Sequence, residues 1–281
     1  MRFNHASERT VEYLAAELAF IERLAGRGLR VARPLPSQAG NLVESAMTEI
    51  GLFHSVLFEF LPGQRRELDE LDMQSIEAWG RALGQVHQVS QGLKIGGRLD
   101  WSGQIDLLRQ IVPKSERVVW REAAAVEELL VNLPTSSASY GLIHYDFEPD
   151  NLVWSEEGIG FFDLDDCAYD WYAMDISNAL CSELFDDRIE RFDLSDFRLQ
   201  GFIKGYRSVR NINEQELRWM PLFLRLDNLT AFTRVYRSIA DDPLENEPRW
   251  MVDLRLKLSQ ELDKLRASFQ GYPVRDFLPG V

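Results

Sequence analysis

Residues 141–175 read GLIHYDFEPDNLVWSEEGIGFFDLDDCAYDWYAMD, and this stretch decides the fold because it places most of the chain's chemistry after two short apolar runs. The first run ends in His144, Tyr145 and Asp146, and the second ends in Asp163 and Asp165. A carboxylate is costly to bury without a partner, so acids that directly follow strand-like runs indicate a site for a metal or another cation. A polar hairpin end would explain one such acid, but it explains the whole spaced set poorly.

The spacing of these residues predicts their chemistry. His144 and Asp146 alternate, so an extended backbone would point both side chains the same way, and Asp163 and Asp165 would share one face of the second strand. The turn-forming sequence EPD can bring Asn151 back toward Asp146. Oxygen ligands from Asn151 and Asp163 suit Mg²⁺ better than zinc. Asp146 would then accept a proton from a hydroxyl, as phosphoryl transfer requires.

HYDFEPDN followed by FFDLDDCAYDWYAMD resembles the catalytic loop and metal-binding segment of the aminoglycoside phosphotransferase and choline kinase superfamily. The family pattern is His-Gly-Asp, four residues, Asn, and an Ile-Asp about a dozen residues later. The chain matches at His144, Asp146, Asn151 and Asp163, and Tyr145 replaces the Gly. The FFDLDDC sequence is most similar to that of the bacterial branch that includes the type II homoserine kinases. The resemblance implies a bilobal, protein-kinase-like α+β fold and ATP- and Mg²⁺-dependent phosphorylation of a hydroxyl on a small molecule.

The resemblance also assigns roles within the stretch. Asp146 would be the catalytic base, Asn151 and Asp163 would hold Mg²⁺, and His144 would structure the loop. Asp175, in YAMDI, would support the catalytic loop from behind.

Nucleotide-binding residues are implied outside the stretch. LFEFLPG resembles the hinge between the lobes, where Glu59, Phe60 and Leu61 would offer backbone groups to the adenine. Arg2 falls where the family has its phosphate-binding Lys, and Glu17 falls where the family has the Glu that pairs with it. The family's phosphate-covering hairpin is not seen before Arg2. We therefore expect either that the start site has been placed too late or that the lid is missing.

The periodicity predicts two lobes, residues 1–63 with a partial antiparallel sheet and one helix, and residues 64–281 with mainly helices and a catalytic hairpin at 141–166. The first helix covers about residues 7–27, with Ser7 and Glu8 as its cap, and an apolar strand covered on both faces runs over about 54–63. Further helices are expected from residue 72, where His87 would be a core histidine, within 104–132, from near Asp170, and in three segments of residues 197–270. Five aromatic residues of these last segments are predicted to be core: Trp219, Phe223, Phe232, Tyr236 and Trp250.

Composition excludes several classes of protein. The chain of 281 residues is 45% hydrophobic, has no apolar run of membrane-spanning length and no signal-peptide pattern, so we expect a cytoplasmic protein. Its two cysteines, Cys167 and Cys181, are expected to be reduced. The formal charge of −14 opposes binding to nucleic acid or anionic membrane and is compatible with a cationic small-molecule substrate. The acids that could hold an amine are Asp165, Asp166, Asp186, Asp187 and Asp227.

Two other hypotheses remain open at this point. The chain could be a pseudokinase-like protein that binds nucleotide without turnover, which the absent hairpin favours. It could also be a metal-dependent hydrolase that uses the aspartate cluster and His144.

Overall fold

The computed structural model describes residues 1–185, 192–239 and 248–271. Asp186 and Asp187, two of the predicted amine-binding acids, lie outside these residues, and so does the side chain of Cys181. The strands are β1 Arg2–His5, β2 Arg30–Val31, β3 Pro34–Leu35, β4 Glu44–Thr48, β5 Gly51–Phe58, β6 Tyr140–Ile143, β7 Leu152–Ser155, β8 Gly158–Phe161 and β9 Ala168–Trp171. The α-helices are α1 Val11–Ala25, α2 Met73–Ser90, α3 Trp101–Ile111, α4 Arg117–Leu130, α5 Tyr172–Phe185, α6 Phe197–Arg207, α7 Glu214–Arg218, α8 Met220–Ile239 and α9 Arg249–Gly271.

The amino-terminal part is an antiparallel sheet with β5 at its centre. β1 pairs along one edge of β5, with Arg2 opposite Val56, and β4 and β3 pair along the other edge. α1 follows β1, and the Thr10 hydroxyl caps it by accepting a hydrogen bond from the Tyr13 N–H at 3.2 Å, so the predicted cap at Ser7 and Glu8 is wrong. The prediction that the apolar strand is covered on both faces is also wrong, because Leu57 of β5 is 38% exposed.

Two smaller sheets carry the stretch that decides the fold. β7 and β8 form an antiparallel hairpin, and β2 pairs in parallel with β8, with Val31 opposite Phe161. β6 pairs with β9, so residues 168–171 form a strand. α5 therefore begins at Tyr172, and the predicted helix start near Asp170 is wrong. The two runs that end in acids belong to different sheets.

The helical part packs around α8, which contacts α3, α4, α5 and α9, while α6 packs against α2. Four of the five aromatic residues predicted to be core are buried or packed against the core, but Trp250 at the start of α9 is 65% exposed. Within the described residues, no helix is long and apolar enough to cross a membrane. The α+β class with a sheet-rich part followed by a mainly helical part is as predicted.

Candidate active site

The loop after β6 is held by hydrogen bonds to one buried carboxylate, that of Asp175 on α5. Its two oxygens accept the backbone N–H groups of His144 and Tyr145, each at 2.8 Å. The same carboxylate accepts the Nε2–H of His87 at 2.8 Å, and the His87 Nδ1 accepts from the Tyr206 hydroxyl at 2.8 Å. Burial lowers the pKa of His87, so the ring is neutral and acts as a bridge in the core, as predicted.

Replacing Asp175 by asparagine will weaken the catalytic loop. The amide has one acceptor oxygen in place of two and puts an N–H group against a backbone N–H, so at least one of the three donors at this site loses its partner at a cost of about 1–3 kcal/mol. We expect a lower melting temperature by calorimetry and a fall in kcat of at least about tenfold, because a misplaced catalytic group costs rate. An Asp150→Asn variant, whose side chain is exposed in the same loop, is the control. Unchanged stability and rate in the Asp175 variant would contradict this role.

The backbone of the catalytic loop is not extended where the sequence predicted it. Tyr145 has φ +78°, a conformation in which a non-glycine residue is strained, so His144 and Asp146 do not alternate on a strand. Glycine adopts this conformation without strain, which gives a physical reason for the family's Gly at this position. In this chain the Tyr145 ring is buried.

Asp146 and Asn151 are in direct contact. The Asn151 Nδ2 donates to the Asp146 Oδ2 at 2.7 Å and to its backbone oxygen at 3.1 Å, which leaves the Asn151 amide oxygen for another partner. Burial raises the pKa of Asp146, while the electrostatic interaction with His144 and the Asn151 hydrogen bond oppose that rise. The turn predicted from EPD thus brings the amide back to the carboxylate.

His144 joins the catalytic loop to the second acidic segment. Its Nδ1 accepts the Asp146 N–H at 3.3 Å and its Nε2–H donates to the Phe162 carbonyl at 3.2 Å. The ring is buried, which lowers its pKa. These contacts agree with a structural role in the loop and leave the imidazole without access to a substrate proton.

Asp163 lies in a loop after β8, which ends at Phe161, so the prediction that Asp163 and Asp165 share a strand face is wrong. Asp163 has φ +62°; it and Tyr145 are the two non-glycine residues with positive φ in the part of the chain that the structure describes. Backbone strain of this kind is concentrated at functional sites. The Asp163 side chain is 48% exposed, so its carboxylate is accessible to a ligand.

Arg2 connects three carboxylates. On β1, it makes a bidentate ion pair with the fully buried Glu17 of α1. Its guanidinium also lies 3.2 Å from the Asp163 Oδ1 and 3.4 Å from the Asp165 Oδ1. Burial raises the pKa of Glu17, and the Arg2 contact opposes that rise. The pairing of Arg2 with Glu17 is therefore present, and it reaches one of the predicted metal ligands.

Arginines already bind two of the acids that the sequence offered to an amine. Asp165 accepts a hydrogen bond from Arg9 at 3.0 Å, and Asp166 accepts one from Arg9 at 2.8 Å and forms an ion pair with Arg234 at 2.9 Å. The prediction that these acids hold a substrate amine is contradicted by this pairing, because each carboxylate is neutralised from within the chain. Arg9 and Arg234 could not be identified from the sequence. Arg9 lies 156 residues before Asp165, Arg234 lies 68 residues after Asp166, and neither belongs to a motif.

The cleft beside Arg2 and Asp163 has a volume of about 540 Å³, within the range of about 300–1,000 Å³ that small-molecule sites occupy. Glu59, Phe60 and Leu61 line it together with both residues. The Glu59 N–H already donates to the Arg33 carbonyl at 2.8 Å, so the backbone groups of Phe60 and Leu61 are the better candidates for contacts with an adenine.

Asn151 and Asp163 suit a metal ion whose other ligands come from the substrate and from water. Within the described ranges, no group of three or more His, Cys, Asp or Glu side chains is placed to hold a metal ion. The predicted pair, Asn151 and Asp163, offers one amide and one carboxylate oxygen. Mg²⁺ in phosphoryl-transfer sites needs no more than one or two carboxylates, because phosphate oxygens and waters complete its shell.

The comparisons with known proteins identify the family of the chain. The model of the phosphotransferase enzyme family (APH) matches residues 1–212. Amicoumacin kinase of Bacillus subtilis strain 168 is 28% identical over 261 residues, which cover 90% of this chain and 78% of that protein. Homoserine kinase of Sinorhizobium medicae is 28% identical over 236 residues, which cover 80% of this chain and 69% of that protein.

Solved structures show the same fold. An amicoumacin kinase in complex with AMP-PNP, Ca²⁺ and Ami has a TM-score of 0.76 at 24% identity, covering 97% of this chain and 81% of that one. A microcompartment-associated aminopropanol kinase has a TM-score of 0.69 at 22% identity, covering 99% and 86%. These matches confirm the predicted kinase-like bilobal α+β fold. The chain belongs to the phosphotransferase enzyme family, which confirms the resemblance identified from HYDFEPDN and FFDLDD.

Proposed function

We propose that this chain is an ATP- and Mg²⁺-dependent kinase that transfers a phosphoryl group to a hydroxyl of a small molecule. The observation that carries the proposal is the contact of Asp146 with Asn151. Both lie on a loop whose backbone N–H groups bond to Asp175. His144 connects this loop to the segment that contains Asp163. Family membership supports the reaction class. The relatives named above are kinases of amicoumacin, homoserine and aminopropanol, which supports a small acceptor.

Asp146 is the proposed base. Its half-buried carboxylate has a raised pKa, which makes it a better proton acceptor than an ordinary aspartate once it is ionised. The Asn151 amide holds one of its oxygens in place at 2.7 Å, so the other can face the substrate hydroxyl. In the balanced reaction the hydroxyl oxygen bonds to the γ-phosphorus of ATP, its proton passes to Asp146, and ADP leaves.

Asn151 and Asp163 would hold the metal with their free oxygens. Mg²⁺ supplies charge that offsets the negative charge of the phosphate oxygens. Arg2, fixed by Glu17 on one side, lines the same cleft, where its positive charge would attract a phosphate. The hinge residues Phe60 and Leu61 would contact the adenine from the other end of the 540 Å³ cleft.

The test is ADP release by the purified chain with ATP and Mg²⁺ over a panel of hydroxylated acceptors, each followed by mass spectrometry for a gain of one phosphoryl group. We expect acceptor-dependent ADP release that stops when EDTA removes the metal. Calorimetric binding of Mg-ATP without phosphorylation of any acceptor would support the pseudokinase hypothesis. Phosphate-ester hydrolysis without nucleotide would support the hydrolase.

A further inference from the structure

A second, small cavity lies beside the catalytic loop. Its volume is about 60 Å³, and Tyr145 of the loop and Asp166 line it together with residues of α1, α3 and α8. Such a cavity holds a few atoms, far below the roughly 300 Å³ of a drug-sized site, so it fits one functional group of a substrate. We refer to it as the loop-side cavity.

Arginines outnumber acids among the residues that line the loop-side cavity. Its charged lining residues are three arginines, Arg9, Arg234 and Arg237, and one aspartate, Asp166. Asp166 is shared between Arg9 at 2.8 Å and Arg234 at 2.9 Å. Asp227 also acts electrostatically on Arg234. Arg237 makes no ion pair with any residue of the described ranges, so within those ranges its charge is available to a ligand.

Two buried donors of the cavity have no acceptor. The Gln104 Nε2 and the Arg237 Nε are both buried and lack a hydrogen-bond partner within the residues that the structure describes. The Gln104 amide oxygen accepts the Thr230 hydroxyl at 2.9 Å and the Tyr145 hydroxyl at 3.3 Å, which directs its nitrogen away from them. Buried donors without partners are rare in folded proteins, and both of these line the same small cavity.

We propose that the loop-side cavity binds the carboxylate of the acceptor, so that the substrate is a small hydroxy acid or hydroxy amino acid. A carboxylate supplies two acceptor oxygens and one negative charge, which match the two unpartnered donors and the unpaired charge of Arg237. Tyr145 lies next to Asp146 in the chain, so we expect a hydroxyl a few bonds away from a carboxylate bound here to reach the base. The proposal rests on the proposed function for the identity of the reaction, but not for the binding of the anion.

The test uses acceptors of equal length that differ in charge: a panel of three- to six-carbon hydroxy acids including homoserine, their amides, and the matching amino alcohols. The wild-type chain is expected to bind the acids at least about tenfold more tightly than the amides in calorimetry without ATP, since a hydrogen bond to a charged group is worth about that factor or more. With ATP and Mg²⁺, kcat/KM is expected to follow the same order, with the amino alcohols lowest.

Two variants test whether residues of the loop-side cavity, and not the overall charge of the protein, determine the binding of acids. Arg237→Gln is expected to weaken acid binding about 10- to 100-fold and to leave the amides unchanged. Gln104→Glu keeps an oxygen that accepts from Thr230 and Tyr145 and replaces the Nε2 donor by a second carboxylate oxygen. We therefore expect this variant to bind acids more weakly and amines more tightly than the wild type. The control is Arg249→Gln, at a side chain 95% exposed on α9, with no change expected for any ligand.

The outcomes distinguish this proposal from the kinase. Acids that bind with dependence on Arg237 but are never phosphorylated would support the carboxylate site and overturn the kinase. Phosphorylated amines, with acids that neither bind nor react, would support the kinase and overturn the carboxylate site. Glycerol 3-phosphate is the last probe, because Arg237-dependent binding of this phosphate without binding of any carboxylate would also overturn the proposal.

Discussion

Asp146→Asn is expected to lower kcat by roughly a thousandfold, within the ~10²–10⁴ range that a positioned general base contributes. Asparagine has nearly the same shape, and its amide oxygen can still accept the Asn151 N–H that now bonds at 2.7 Å, so the loop keeps its form. The variant cannot accept the proton of the substrate hydroxyl. ADP release with a true acceptor is the measurement, and Asp150→Asn, exposed four residues later in the same loop, is the control.

The pH dependence tests the same carboxylate. Burial raises the pKa of Asp146, and only its ionised form accepts a proton, so kcat/KM is expected to fall as pH falls through a value above the ordinary ~4 of an aspartate. A group with a raised folded-state pKa stabilises the protein below its unfolded pKa, and that contribution is lost as pH rises through the folded pKa. Asp146→Asn is therefore expected to be more stable than the wild type at pH 7. If Asp146→Asn is as active as the wild type, or if its kcat/KM falls at low pH as it does in the wild type, Asp146 is not the base.

The local part of the site could be predicted from the sequence because its residues lie close together in the chain. Asp146 and Asn151 are joined by four residues whose composition favours the return of the amide, and the two side chains are in contact. The helices on either side could be predicted for the same reason, since their apolar periodicity is a local signal. Arg2 and Glu17, 15 residues apart, were predicted as a pair from the resemblance, and the contact is present.

The parts that could not be predicted depend on contacts between distant segments. A helix was predicted to start near Asp170, but pairing with β6 makes residues 168–171 a strand. The arginines that neutralise Asp165 and Asp166 come from positions 9 and 234, on segments that only the tertiary fold brings together. The conformation of Tyr145 likewise has no local signal, because the two N–H bonds to Asp175 impose it from α5.

The second large effect is expected where α2 and α6 touch through their backbones. A Cβ on Gly205 would lie 1.9 Å from the Glu77 carbonyl oxygen, and one on Gly80 would lie 2.0 Å from the Phe202 carbonyl oxygen. Both obstacles are main-chain atoms inside helices, so neither can move alone. The helices must separate, which exposes core contacts along their length. Gly205→Ala is expected to lower the free energy of unfolding by about 3 kcal/mol or more, at the upper end of overpacking costs.

Gly201 provides the matched control on the same helix. Its added Cβ would meet the Met73 sulfur at 2.2 Å, the end of a flexible side chain that can rotate away. Both substitutions gain about the same helix propensity, roughly 1 kcal/mol, so the difference between the two variants in urea unfolding isolates the backbone clash. Equal stabilities would show that α2 and α6 can separate freely.

Separation of α2 from α6 should also reach the catalytic loop. α2 carries Trp79, whose indole N–H donates to the Phe147 carbonyl at 2.9 Å, and His87, which bonds the Asp175 carboxylate. Tyr206, on α6 next to Gly205, donates to the His87 Nδ1, so a shift between these helices breaks the chain of bonds that fixes Asp175. We therefore expect Gly205→Ala to lose activity at temperatures where circular dichroism still shows a folded protein, while Gly201→Ala keeps it.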